Sequence, residues 1–125
     1  MASASYRFPR AHRLGGQTAF AAVYAAAAKQ SRGPLALYSR PNDLPHCRWG
    51  LSVSRRVGNA VRRNRVKRLL RESIRLLQRD FPRGYDLVIV VRPHDPLILS
   101  EYQRLLSILM VKTHNHWLEN PPTIP

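Results

Sequence analysis

The chain has 125 residues, 44% of them hydrophobic, a single cysteine and a formal net charge of +14 at pH 7. That length fits one domain able to bury roughly two-thirds of its unfolded surface, and the apolar content excludes global disorder. The charge calls for a polyanionic partner (RNA, DNA or an anionic surface), while lone Cys47 excludes an internal disulfide and a thiolate zinc cluster.

Residues 1–13 carry Arg7, Arg10, His12 and Arg13 with little pattern and read as a basic arm. Phe20, Val23, Tyr24 and Ala27 recur at helical spacing, predicting a helix over 18–28 with Thr18 as its cap and Gly33-Pro34 as its stop. Leu35 to Ser39 reads as a strand, and Pro41 to Pro45 as a turn-rich loop. Arg48 to Ser54 alternates strictly, with Trp49, Leu51 and Val53 on one face of a second strand. A basic helix follows over about 60–80. Tyr85 to Val91 is a β-branched run suited to burial on both faces. Ser100 and Gln103 have capping-box spacing ahead of Leu105, Leu106, Leu109 and Met110, in a last helix reaching about Trp117. The order α-β-β-α-β-α predicts an α+β two-layer sandwich on a small mixed sheet. The expected organisation is a basic arm at 1–13, a folded domain at 14–118 and a flexible tail at 119–125.

The basic helix is the most informative segment. Ten of the 21 Lys and Arg fall between Arg55 and Arg79, with Glu72 the one acid among them. Val66, Leu69, Leu70, Ile74, Leu76 and Leu77 gather on one side of the helical wheel. Asn64, Lys67, Arg68, Arg71, Arg75 and Arg79 gather on the other. Gly58 permits a tight entry and Asn59 is a good N-cap. Yet Arg62, Arg63 and Arg65 occupy the first turns, where the helix dipole disfavours cations. A solvated basic face is the bland account of such a run. Cations beside free backbone N–H groups make an anion site, and the dipole conflict favours that account.

The sequence holds no catalytic constellation. His12 and His94 lack a partner motif, Ser52 and Ser54 lack a nucleophile elbow, and Asp43, Asp86 and Asp95 form no metal-binding pattern. The histidines show no helical metal spacing, and no Gly-rich phosphate loop is present. The polypeptide alone is therefore expected to cut no bonds. No stretch reaches the ~18 apolar residues of a membrane span, and the N-terminus has no secretory pattern, so a cytoplasmic location is expected. Phe20 and Tyr24 lie one helical turn apart, and Tyr38 can face them from the first strand. Such rings can stack unpaired bases or pack as ordinary core; for Phe20 alone core packing is the commoner outcome, and for Tyr38 both remain open.

The run from Gly50 to Val61, followed by Arg63-Asn64-Arg65-Val66-Lys67-Arg68, closely resembles the signature of the bacterial ribonuclease P protein subunit, whose RNR motif is matched by Arg63-Asn64-Arg65. Arg13-Leu14, Phe20, Tyr24, Leu35–Tyr38 and Asp86–Arg92 also fall at the family's spacing, so the resemblance spans about 13–118. It implies a protein that binds a catalytic RNA subunit removing the 5′ leader from precursor tRNA. It also implies a left-handed crossover around the basic helix, where handedness rules alone give a right-handed one. By the same resemblance Arg62, Arg63, Asn64, Arg65, Lys67, Arg68 and Arg71 contact the RNA subunit. Phe20, Tyr24, Ala36, Tyr38 and Arg92 form the leader cleft, flanked by Arg55 and Arg56. The polypeptide binds no cofactor, and Mg2+ is expected at the RNA active centre. Ala25 to Ala28 departs from the family's more polar helix end and nearby glycine, and Ala36 is smaller than the usual strand residue.

Two other classes fit the charge. A ribosomal or RNA-chaperone-like binding protein would carry a similar surface. A DNA-binding module could lay the 62–71 helix in a major groove, but the leucines that bury this helix and the lack of a short turn to a partner helix count against it.

Overall fold

The computed structural model describes residues 10–122. Three helices, α1 (Gln17–Ala25), α2 (Ala60–Leu77) and α3 (Leu99–Glu119), pack on four strands. The strands are β1 (Ala28–Arg32), β2 (Leu35–Pro41), β3 (Arg48–Val53) and β4 (Tyr85–Val91), in the order β1-β2-β4-β3. β1 with β2 and β2 with β4 are antiparallel, whereas β3 and β4 are parallel and joined through α2. This is the mixed-sheet α+β architecture predicted, with one strand more.

The alternation of side chains divides the core in two. Leu35 and Leu37 of β2, Trp49 of β3, and Leu87, Ile89 and Val91 of β4 meet Val66, Leu70 and Ile74 of α2 and Leu105, Leu106 and Leu109 of α3. The opposite face carries α1 and Leu14 just before it, with Val23 and Phe20 against Val88, Tyr38 and Val90. β4 is central, and all of its residues but Val90 are buried, as its β-branched run predicts. α2 ends at Leu77 and continues as a 3-10 turn, Gln78–Asp80. Its stripe is as expected except at Leu76, which lies at the stripe's edge and is exposed.

Several expectations are corrected. The predicted first helix stops at Ala25, and Ala28 begins β1. Ala27, at φ 57°, breaks the helix, and Gly33, at φ 56°, turns the chain between β1 and β2. Gly33-Pro34 is thus a hairpin turn, not a helix stop. β1 was hidden because Lys29 to Arg32 is a polar edge strand with no apolar alternation, following an Ala-rich run of high helix propensity. Thr18 does not cap α1; Gly16 holds the N-cap position, and its carbonyl accepts from Phe20 N at 3.1 Å. The Ser100–Gln103 capping box does not form either. α3 starts at Leu99, with Ile98 at the N-cap position, so Ser100 falls inside the first turn.

Arg10–His12, assigned to the arm from the sequence, forms a 3-10 turn, and Arg13 bridges Trp49 on the outer edge of β3. Leu14 N donates to Trp49 O at 2.8 Å, which ties this segment to the sheet. Arg7, with the rest of 1–9, and tail residues 123–125 lie outside the described residues.

Candidate nucleic-acid interface

The basic surface is built on the start of α2. Asn59 Oδ1 accepts from Arg62 N at 2.9 Å, so the cap read from the sequence is made. Before it, the 3-10 turn Arg55–Val57 buries Val57 and leaves Arg55 and Arg56 exposed. Gly58 has φ 150°, a conformation that L side chains rarely adopt. Val66, Leu70 and Ile74 fix the helix on the core, which aims Arg62, Asn64, Arg65, Arg68 and Arg71 at solvent and leaves Arg63 and Lys67 half-buried.

These cations lack counter-charges. Among the described residues, ion pairs join Asp86 to Arg40 and Arg48, Glu72 to Arg75, and Glu101 to Arg104. None involves Arg62, Arg63, Arg65, Lys67, Arg68 or Arg71, and no acid stands in the first turn of α2. The buried Nε of Arg63 has no acceptor among the described residues. Such an orphaned donor costs about 1–3 kcal/mol unless a partner arrives. The surface therefore has what a phosphate-bearing ligand needs: fixed cations, one unsatisfied donor and a helix N-terminus.

The second surface is the face of the sheet carrying α1. Phe20 and Tyr24 meet edge-on at 6.4 Å, and Tyr24 meets Tyr38 of β2 edge-on at 4.9 Å. Gly50 of β3 makes this possible, because a Cβ there would stand 2.5 Å from Phe20 Cζ. Lys29 Nζ lies 5.7 Å from the Tyr38 ring centre, on the strand the sequence did not reveal. Arg92 Nη2 donates to Ser31 Oγ at 3.3 Å, and Arg92 N to Pro34 O at 2.8 Å, which sets its guanidinium on the rim. An open apolar hollow of about 570 Å³ lies against Gly16, Phe20, Ala21 and Tyr24. Phe20, Tyr24, Tyr38 and Arg92 are thus gathered on one face. Ala36 shares that face but is 2% exposed, so it floors the cleft without offering contact area.

The cleft's far end is held by Asp86. Its carboxylate accepts from Arg48 Nε at 2.8 Å and Nη2 at 2.7 Å, and from Asn42 Nδ2 at 2.9 Å. Burial alone would raise its pKa, but these bonds and the charges of Arg48 and Arg40 outweigh burial and hold it below the ordinary carboxylate value. On the other side of the molecule, Tyr102 OH accepts from Leu97 N at 3.3 Å and bonds His94 Nε2 at 2.7 Å. Burial raises the Tyr102 pKa, against the Leu97 N–H bond and the charge of Arg65. Sequence reasoning missed Lys29 and Ser31 and found no partner for His94, because these contacts depend on pairings that no local pattern reveals.

The Ribonuclease P family model matches residues 8–113. The ribonuclease P protein component of Methylococcus capsulatus is 39% identical over 114 residues, covering 90% of this chain and 84% of its own length. The RNase P protein of Thermotoga maritima superposes with a TM-score of 0.74 at 25% identity, covering 80% of this chain and 96% of that one. That of Staphylococcus aureus gives 0.72 at 26%, covering 82% and 95%.

Proposed function

The chain belongs to the ribonuclease P protein family, and we propose that it is the protein subunit of a ribonucleoprotein that removes the 5′ leader from precursor tRNA. The start of α2, with Arg62, Arg63, Asn64, Arg65, Lys67, Arg68 and Arg71, binds the RNA subunit. Phe20, Tyr24 and Tyr38 receive the single-stranded leader, with Arg55, Arg56 and Arg92 at the rim. The observation that carries this reading is the open aromatic face beside a helix start whose cations have no acids of their own.

The division of labour follows from chemistry. The described residues contain no group of three His, Cys, Asp or Glu side chains able to hold a metal ion. We infer that metal-ion chemistry belongs to the RNA, where Mg2+ is expected, and no step is routed through a protein-held ion. The polypeptide supplies affinity for the precursor, because only the precursor has unpaired leader nucleotides. Each stacked base contributes about 1–3 kcal/mol. Among the described residues no helix is long and apolar enough to cross a membrane.

The test uses protein reconstituted with a bacterial ribonuclease P RNA. Phe20→Ala or Tyr38→Ala should weaken precursor binding and spare mature tRNA. Equal losses for both would make these rings core residues. Cleavage of precursor by the polypeptide without RNA would overturn the assignment of catalysis.

A further inference from the structure

A second cavity lies away from both surfaces, at the C-terminal end of α2. It has a volume of about 380 Å³, within the roughly 300–1,000 Å³ range of small-molecule sites. Trp49 and Phe81, 5.7 Å apart, belong to the core beneath it. His12 and His46 stack at 4.5 Å between centroids, tilted by 32°. Gln78, Arg79 and Arg83 also line it. The 3-10 turn Arg10–His12 is held at this edge by the Arg13–Trp49 bridge, so the cavity is a product of the fold.

Four polar groups of this lining, His12, His46, Arg79 and Arg83, have capacity left over. Gln78 Oε1 can only accept, so the 3.3 Å contact makes His12 Nδ1 a donor and leaves His12 Nε2 uncommitted. Ala11 O can only accept, so His46 Nε2 donates across 3.2 Å and leaves Nδ1 uncommitted. Arg79 and Arg83 are exposed and make no ion pair among the described residues. Among the described residues no carboxylate lines the cavity. Stacked planar rings, two free ring nitrogens and two unpaired guanidinium groups match a base joined to a phosphate better than either alone.

We propose that this cavity seats one unpaired nucleotide of an RNA strand, its base against the His12–His46 pair and its phosphate on Arg79 and Arg83. The seat would be a third RNA contact, separate from the start of α2 and from the aromatic face. It rests on the proposed function only for the choice of RNA as the source of the nucleotide.

The experiment titrates the full chain with 5′-AMP, adenosine and inorganic phosphate, followed by NMR of the histidine rings and the Trp49 indole. 5′-AMP should move the His12, His46 and Trp49 signals along one saturable curve. Adenosine and phosphate should each bind at least tenfold more weakly. Arg79→Ala/Arg83→Ala should weaken 5′-AMP at least tenfold at an unchanged melting temperature. Arg63→Ala/Arg65→Ala should leave this curve unaltered, which separates failure here from failure of the α2 assignment. Phosphate matching 5′-AMP would reduce the cavity to an anion seat and overturn the proposal. So would 5′-AMP shifts confined to the face of α2, or no shift at the two histidines.

Discussion

Gly50→Ala tests whether the aromatic face depends on the sheet beneath it. The added Cβ would stand 2.5 Å from Phe20 Cζ, 2.6 Å from Phe20 Cε1 and 3.3 Å from Leu14 O. The carbonyl cannot withdraw far, because Leu14 N is bonded to Trp49 O at 2.8 Å. The ring must therefore move about 1 Å to regain ordinary contact distance. Overpacking of this kind costs about 1–3 kcal/mol, and removing a glycine from the unfolded chain returns roughly 0.4–1 kcal/mol. The net expectation is a loss near 1 kcal/mol, or about 4 °C in melting temperature for a domain of this size. Phe20 must then leave its present edge-on position against Tyr24. Precursor tRNA binding by the reconstituted ribonucleoprotein should fall severalfold, mature tRNA binding should hold, and affinity for the RNA subunit should stay within twofold. A variant as stable and as selective as the parent would refute the reasoning, since Phe20 would then be free to move and would set neither packing nor recognition.

Arg63→Ala/Arg65→Ala should cost roughly 2–4 kcal/mol in binding the RNA subunit if two charge-assisted contacts are lost, with helicity by circular dichroism intact; unchanged affinity would remove the α2 assignment. Ala27→Gly should stabilise the chain by about 0.5–1 kcal/mol, because φ 57° is costly for alanine and free for glycine; an unchanged or lower melting temperature would show the strain relieved elsewhere. Asp86 has a depressed folded pKa, so its stabilisation is present above its unfolded value of about 3.9 and is lost as pH falls through the folded value. Asp86→Asn should cost about 2 kcal/mol at neutral pH, less than for a fully buried pair because the Arg48 and Arg40 side chains are 35% and 41% exposed. It should also flatten the acid limb of a stability–pH curve, and an acid limb of unchanged depth would contradict the pairing.

How much of this was legible depended on whether the cause was local. α2 was readable almost to the residue, because an 18-residue amphipathic stripe and an Asn cap are written in consecutive positions. β4 was readable because a central strand must be apolar on both faces. β1 was not, because an edge strand is free to be polar and its partner β2 supplies the order. The Phe20–Tyr24 contact was foreseeable from helical spacing, whereas the approach of Tyr38 depends on how β2 packs against α1. The room for it, at Gly50, was not, since that depends on β3 passing under α1. The cavity at His12 and His46 was still less accessible, because Gln78 lies 66 positions from His12. No window of sequence holds the two together.

The distribution of the acids gives the placement of charge its meaning. The chain has 7 acids against 21 Lys and Arg. Three of the acids act in ion pairs: Asp86 inside the sheet's end, Glu72 with Arg75 midway along α2, and Glu101 with Arg104 on α3. None stands in the first turn of α2, where an acid would stabilise the isolated chain most. Repulsion among Arg62, Arg63 and Arg65 is held in check by burial of Val66, Leu70 and Ile74 on the core. Fixing cations on a rigid helix in this way avoids the ordering cost a mobile basic arm would incur on binding. What the arrangement lacks is an external polyanion. An RNA strand laid across the start of α2 would supply acceptors for Arg63, counter-charges for its neighbours and the anion that the helix dipole favours, all at one place.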